Sequence, residues 1–393
     1  MTALRRLLLS QIVLWAVVLG AVRVVGVPPE VCPAVSVAAI DAALGDAVAW
    51  VSSGLEDDGR YRYGYDRSLG ANSTDYNITR HAGVVLALYQ LAAAGDTRGL
   101  DAAERGLEFI DANLRPHEDW VAFATEGGQR SLGATSLSLA AIMHRREATG
   151  DQAYDETARG MGRFILAQQE PRGSILSHWN PQTEASRPDT YGSFATGEAF
   201  WALTLLDRAF PGEGWADATV PVARYLATQR DQVEDLVFFT DHWAAYAFAE
   251  LDAATLEPPE RRYVRRQAGL LGTSARLDAQ SDGGPLGQLV RGPRTSGAGL
   301  GTIGEGLGGY WRLSRSDERF ADLEPDLAER LTCLAARAVE RQATSVEAEN
   351  DGNPEAVLGA WFTNNYTQMD DQQHTMAALI AARAVLLAKE EQT

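Results

Sequence analysis

The chain has 393 residues, 45% of them hydrophobic, enough to bury a real core in one large domain or two ordinary ones. Its 53 acidic residues outnumber 35 basic ones, and the resulting charge of −18 excludes a nucleic-acid partner, because a phosphate backbone needs clustered Lys and Arg to replace its counterions. With only Cys32 and Cys333, no multi-cysteine zinc site or disulfide framework can be built; the two either pair outside the cytoplasm or stand as separate buried thiols. No HExxH motif or close histidine cluster occurs, so no tightly bound metal is expected, and no cofactor either.

Residues 1–27 open with Arg5 and Arg6, run through LLLSQIVLWAVVLGAV and meet Arg23. This is the pattern of a signal peptide or signal anchor. The absence of an A-x-A cleavage site favours an uncleaved single-pass anchor. The basic end should stay inside, which places the rest of the chain outside the cytoplasm. Residues 28–34 read as a linker and 35–393 as one domain.

The domain opens with an amphipathic helix over 35–53, followed by an irregular stretch with YRYGY at 61–65. From there a polar or Gly-rich mouth, an Ala/Leu-rich inner helix and an amphipathic outer helix recur at a spacing of roughly 55 residues. Inner helices are expected over 82–91, 133–149, 193–210, 241–253, 304–313 and 370–389. Outer ones are expected over 35–53, 100–113, 154–169, 216–229, 259–277 and 322–343. Nothing longer than short pieces in loops reads as strand. The long connections, 173–191, 282–301 and 345–369, all precede inner helices, and long loops gathered at one end of a rigid scaffold are where binding residues usually sit.

This all-α order of six inner and six outer helices resembles the six-hairpin glycosidase-like (α/α)6 toroids. The resemblance is one of architecture and covers residues 35 to about 390. It implies an activity on carbohydrate, since that superfamily contains glycoside hydrolases, polysaccharide lyases and sugar epimerases. The terpene cyclases match less well, because their DxDD and repeated QW motifs are absent.

Five mouths carry groups suited to a sugar. DYNITRHAG offers Arg80, a fixed fork of donors, and His81. TYGSFATGEAFW offers Tyr191 and Glu198, and the start of the fourth inner helix offers Asp241, His242 and Trp243. Glu305 lies in GTIGEGLGGYW, and in TQMDDQQH Asp370 and His374 stand four apart on one helical face. Glycosidic hydrolysis needs a carboxylic acid and a second carboxylate. Asp241 and Asp370 are the expected pair and Glu305 the alternate, while Arg80, His81, Glu198, Tyr191, His242, Trp243 and His374 bind the substrate. The expected function is therefore an extracytoplasmic glycoside hydrolase acting on a cell-envelope or secreted polysaccharide. Two rivals stay open: a polysaccharide lyase or sugar epimerase on the same scaffold, and a non-catalytic toroid that binds glycan or a partner.

Overall fold

The structure, a computed structural model, describes residues 3–26, 28–236, 239–292 and 294–391. After the N-terminal helix α1 (Ala3–Ala21), helices alternate between an outer and an inner layer: α2 (Val37–Ser53) outer, α3 (Ile78–Ala93) inner, α4 (Leu100–Ala112) outer, α5 (Leu132–Thr149) inner, α6 (Asp155–Gln168) outer and α7 (Ala195–Ala209) inner. Outer α8 (Trp215–Thr228) and the single turn α9 (Arg230–Val233) lead to inner α10 (His242–Glu250). Outer α11 (Pro258–Ser281), short α12 (Pro285–Arg291), inner α13 (Ala298–Ser316), outer α14 (Glu324–Arg341), short α15 (Ser345–Glu349) and inner α16 (Met369–Glu390) complete the order.

The inner helices pack in sequence order, α3 on α5, α5 on α7, α7 on α10, α10 on α13 and α13 on α16. Contact of α16 with α3 closes the ring. The chain thus forms the expected (α/α)6 toroid. Buried faces explain the two compositions: all of Ala82–Tyr89 on α3 and Leu132–Met143 on α5 are buried, whereas α4 and α14 bury one stripe. Close approach requires small residues. A Cβ on Gly309 of α13 would lie 2.7 Å from the backbone carbon of Ala245 on α10, and one on Gly301 2.4 Å from that of His374 on α16.

Side-chain caps start several helices. Asn77 accepts from the amides of Thr79 and Arg80, Ser131 from that of Ala134 and Asp241 from that of Ala244. The largest departure in boundaries is α13, which begins at Ala298 rather than 304, so Glu305 sits two turns inside the helix instead of at its mouth. Gly-rich sequence hid this start, because glycine is a poor helix former in isolation.

Among the described residues, strands are two to four residues long and lie in the connections: β1 (Gly64–Asp66), β2 (Ala71–Asn72), β3 (Leu114–His117), β4 (Trp120–Phe123), β5 (Arg130–Ser131), β6 (His178–Asn180), β7 (Ala185–Ser186) and β8 (Tyr366–Gln368). Antiparallel β1 pairs with β2 and with β8, setting Tyr65 opposite both Asn72 and Thr367 and joining the first mouth loop to the last.

Helix α1 stands apart from this body. Arg5–Val24 has mean hydropathy 2.1 and none of it is buried, and its length suits a membrane span. The two cysteines, whose state the sequence left open, are joined: Cys32 is disulfide-bonded to Cys333 of α14, with Cα atoms 4.8 Å apart. Because this bond closes a loop of 301 residues, the double substitution Cys32→Ser/Cys333→Ser should cost about 2–4 kcal/mol. Urea unfolding of the variant beside the oxidised wild type measures it.

Candidate functional site

Inner-helix N-termini converge on a cavity of about 480 Å³ at the mouth of the ring. Arg80 from α3, Glu198 from α7, His242 and Trp243 from α10, and Asp370 and His374 from α16 all line it. They come from four of the six inner helices, and Ala298, Gly299 and Thr302 bring in α13. Phe194 and Trp243 give apolar surface, and Asn77, Thr79 and Gln373 give polar edges. A second cavity of about 520 Å³ lies at the opposite end of the ring. Its charges are spent on one another, Glu250 pairing with both Arg208 and Arg312, so the mouth is the site with chemistry to offer.

The mouth is electrostatically asymmetric. His374 Nδ1 lies 2.5 Å from Glu305 Oε2, and its Nε2 lies 3.6 Å from Asp370 Oδ1. Burial opposes a charge on this ring, yet the two carboxylates overcome it and raise His374 from 6.5 to about 10, so it stands as imidazolium at neutral pH. Asp370 answers in kind: burial would raise it, but His374 and Arg80 outweigh burial and keep it below the usual aspartate value. Arg80 lies 3.4 Å from Asp370 and is steadied by Tyr63 and by Gln368 at 2.8 Å.

His242 is the opposite case. Burial first, and the nearby charge of His374 second, drive it well below 6.5, so it is a neutral imidazole. Its ring centroid is 5.1 Å from that of His374, and neither ring nitrogen has a hydrogen-bond partner. Glu198 is pushed up from 4.5 to about 8 by burial and then by the charge of Asp241, which keeps it protonated at neutral pH. Glu305 is fully buried behind the two histidines, and burial raises it despite the pull of His374. It also accepts from the Tyr246 hydroxyl at 3.4 Å.

His242, Glu305 and His374 present donor atoms within 4.8 Å of one another, a spacing that suits a divalent cation. Chain spacing conceals this set, because its members are spread over α10, α13 and α16. The proton on His374 competes with any such ion, for a protonated ring nitrogen has no lone pair to give.

Four of the expected site residues are off the cavity wall: Glu305 lies behind the histidines, and Asp241, His81 and Tyr191 lie elsewhere. Asp241 is fully buried and absent from the cavity wall: it caps α10 at Ala244 N, 3.0 Å away, and pairs with Arg230. That pair serves the helix start, and the other caps show why the sequence misled, since an acid at a first turn has the same signature in either role. His81 is also fully buried, held between the Tyr76 hydroxyl at 2.7 Å and the Gly106 carbonyl at 2.9 Å, and burial lowers it to about 4. Tyr191 donates to Glu170 at 2.9 Å in the loop before α7, away from the cavity. Sequence reasoning missed Asn77, Thr302 and Gln373, common polar types that only the closed ring singles out.

No protein-family model matches the sequence, and no curated protein matches it. Solved structures do. Cellobiose 2-epimerase from Spirochaeta thermophila superposes with a TM-score of 0.62 at 11% identity, over 90% of this chain and 97% of that one. D-mannose isomerase superposes at 0.56 and 14% identity, over 89% and 97%. An inactive variant of an α-1,6-mannanase from Salegentibacter sp., in complex with α-1,6-mannotriose, superposes at 0.59 and 13% identity, over 89% and 100%. The chain therefore shares the (α/α)6 toroid fold of these proteins.

Two outcomes follow from the charges. Asp370→Asn removes one carboxylate that holds the proton on His374, so the ring should titrate below about 10, which histidine-selective ¹⁵N NMR would follow. Glu198 carries a folded pKa raised to about 8, so the unfolded chain loses its proton first and the carboxyl erodes stability as pH climbs from 4.5 to 8. Glu198→Gln should therefore gain stability over wild type across that window and match it below, as thermal melts at several pH values would show.

Proposed function

We propose that this chain is an extracytoplasmic carbohydrate-active enzyme that moves a proton at the carbon beside a sugar's carbonyl group, as an aldose–ketose isomerase or 2-epimerase. One observation carries the reading: two histidines of opposite charge state face one cavity, a neutral ring fit to take a proton and a charged ring fit to give one. The likeness to an isomerase and an epimerase supports it, and so do Phe194 and Trp243, flat faces for a sugar ring.

In this mechanism His242 takes the proton from C2 of the open-chain sugar. The C–H electron pair becomes the C1=C2 bond of an enediol as the carbonyl oxygen takes a proton from His374. Returning the C2 hydroxyl proton to His374 and the carbon proton to C1 yields the ketose; returning the C1 hydroxyl proton to His374 while His242 delivers its proton to the other face of C2, after the enediol turns over, yields the epimer. Asp370 and Glu305 hold His374 in register and charged, and Arg80 orients the sugar hydroxyls with its fixed donors.

A second reading is hydrolysis, the outcome expected from sequence. Glu198, protonated at neutral pH, would serve as acid and ionised Asp370 as base, in the same cavity. Placement outside the cytoplasm rests on α1, read as a single-pass anchor, and on the disulfide, which persists in oxidising compartments.

Incubating the protein with neutral and acidic reducing sugars and oligosaccharides in D₂O separates the readings. Proton transfer leaves carbon-bound deuterium at C1 or C2, seen by NMR. Hydrolysis gives a new reducing end without that label, lysis an unsaturated sugar, and a binding toroid leaves the sugars unchanged. His242→Asn should lower the isomerising or epimerising rate by about 10²–10⁴-fold. Asp241→Asn should instead cost about 1.5–3 kcal/mol of stability by removing the charged acceptor from Arg230, which keeps Glu234 at 3.5 Å, with the turnover of the folded fraction little altered.

A further inference from the structure

The few residues after α1 determine which end of the toroid can meet a membrane. The helical extension Val22–Gly26 follows α1, and Cys32 is already bonded to Cys333. Six residues reach at most about 20 Å even when fully extended. Within that reach the segment is docked: Val31 N donates to the Ala279 carbonyl at 3.0 Å, and Glu30 pairs with Arg276 at 2.9 Å and with Arg330. Ala279 and Arg276 lie in the last turns of α11. Outer helices run opposite to inner ones, so these turns are at the mouth end, beside the loop that leads through α12 into α13. Val22–Gly26 itself lies against α12.

The apolar helix therefore leaves the body at the end where the cavity opens. The loops there carry large apolar side chains in water: Leu289 on α12 is 80% exposed, Leu69 in the turn between β1 and β2 is 77% exposed, and Val346 on α15 is 65% exposed. Two of these are linked, because Arg67 beside the hairpin turn pairs with Glu347 of α15 at 3.4 Å. Taking a Leu or Val side chain out of water is favourable in proportion to the apolar area covered. The net charge of −18 gives no attraction to anionic headgroups, so the contact these loops suit is apolar insertion.

We propose that the mouth face rests on the bilayer that α1 enters, with Leu69, Leu289 and Val346 dipping into the lipid interface. The cavity then opens at headgroup level, and the saccharide it takes is one displayed there, on a membrane lipid, rather than one diffusing freely. This rests on the anchor reading above and, for the saccharide, on the carbohydrate reading.

The test uses the full chain, with α1, in phosphatidylcholine vesicles. Single variants Leu69→Cys, Leu289→Cys and Val346→Cys, and Thr97→Cys in the exposed turn between α3 and α4 at the far end, each carry a fluorophore, with mass spectrometry confirming that the native disulfide is kept. Lipids bearing a nitroxide on the acyl chain should quench the three mouth labels and leave the label at 97 bright. Equal quenching at all four, quenching at 97 alone, or no quenching at any site overturns the proposal, as does recovery of a chain cut before Cys32 and free of the vesicles. None of these readouts uses turnover, so failure of the docking face is distinguished from failure of the proton-transfer reading, which the D₂O experiment reports separately.

Discussion

Six helices can close a ring around a dry centre only if their facing sides let the backbones come near. That constraint governs the composition of α3, α5, α7, α10, α13 and α16, and it explains why glycine and alanine crowd the chain where an ordinary helix would carry larger residues. Gly309 against Ala245 and Gly301 against His374 are two places where a single methyl group has nowhere to go. The outer helices face a looser demand, one buried stripe each, and so read as conventional amphipathic sequence.

A tight ring also sets the electrostatics at its mouth. Water is largely excluded around Glu305, His374 and His242, so each charge is decided by its nearest neighbours rather than by solvent. Two carboxylates reach His374 and keep it charged; none bonds His242, and burial, with the charge next door second, keeps it neutral. Two chemically identical side chains about 5 Å apart thereby acquire opposite acid–base characters, and neither needs any feature beyond its position on the ring.

Much of the architecture was legible in the sequence because it is written locally. Helix periodicity, the start of α10 at Asp241 and the uneven loop lengths each depend on neighbours in the chain, whereas the caps at Asn77 and Ser131 emerge only from the structure. The site was legible only in part. Arg80, Glu198, His242, Trp243, Asp370 and His374 share a cavity as the convergence of mouths implied. Asp241 does not, since capping and catalysis call for the same residue at the same helical position, and only the partner, here Arg230, separates them. Glu305 moved inward because the Gly-rich start of α13 looks unlike a helix until α10 and α16 pack on it. The pairing of Cys32 with Cys333 was equally invisible, for nothing in residues 301 positions apart records their meeting.

That disulfide makes most of the toroid a covalent circle. Both long mouth connections between α6 and α7 and between α11 and α13 lie inside the span it closes, as do ten of the twelve toroid helices in full. A protease that severs one such loop cuts a circle, not a string, and the two pieces stay tied to each other and to α1. Damage at the exposed mouth is thereby converted from loss of the domain into a nick that packing can tolerate. Within the toroid only a cut after Cys333, in the connection that carries α15 and β8, releases a fragment, and that fragment is held by the pairing of β8 with β1 and by α16 wedged between α3 and α13.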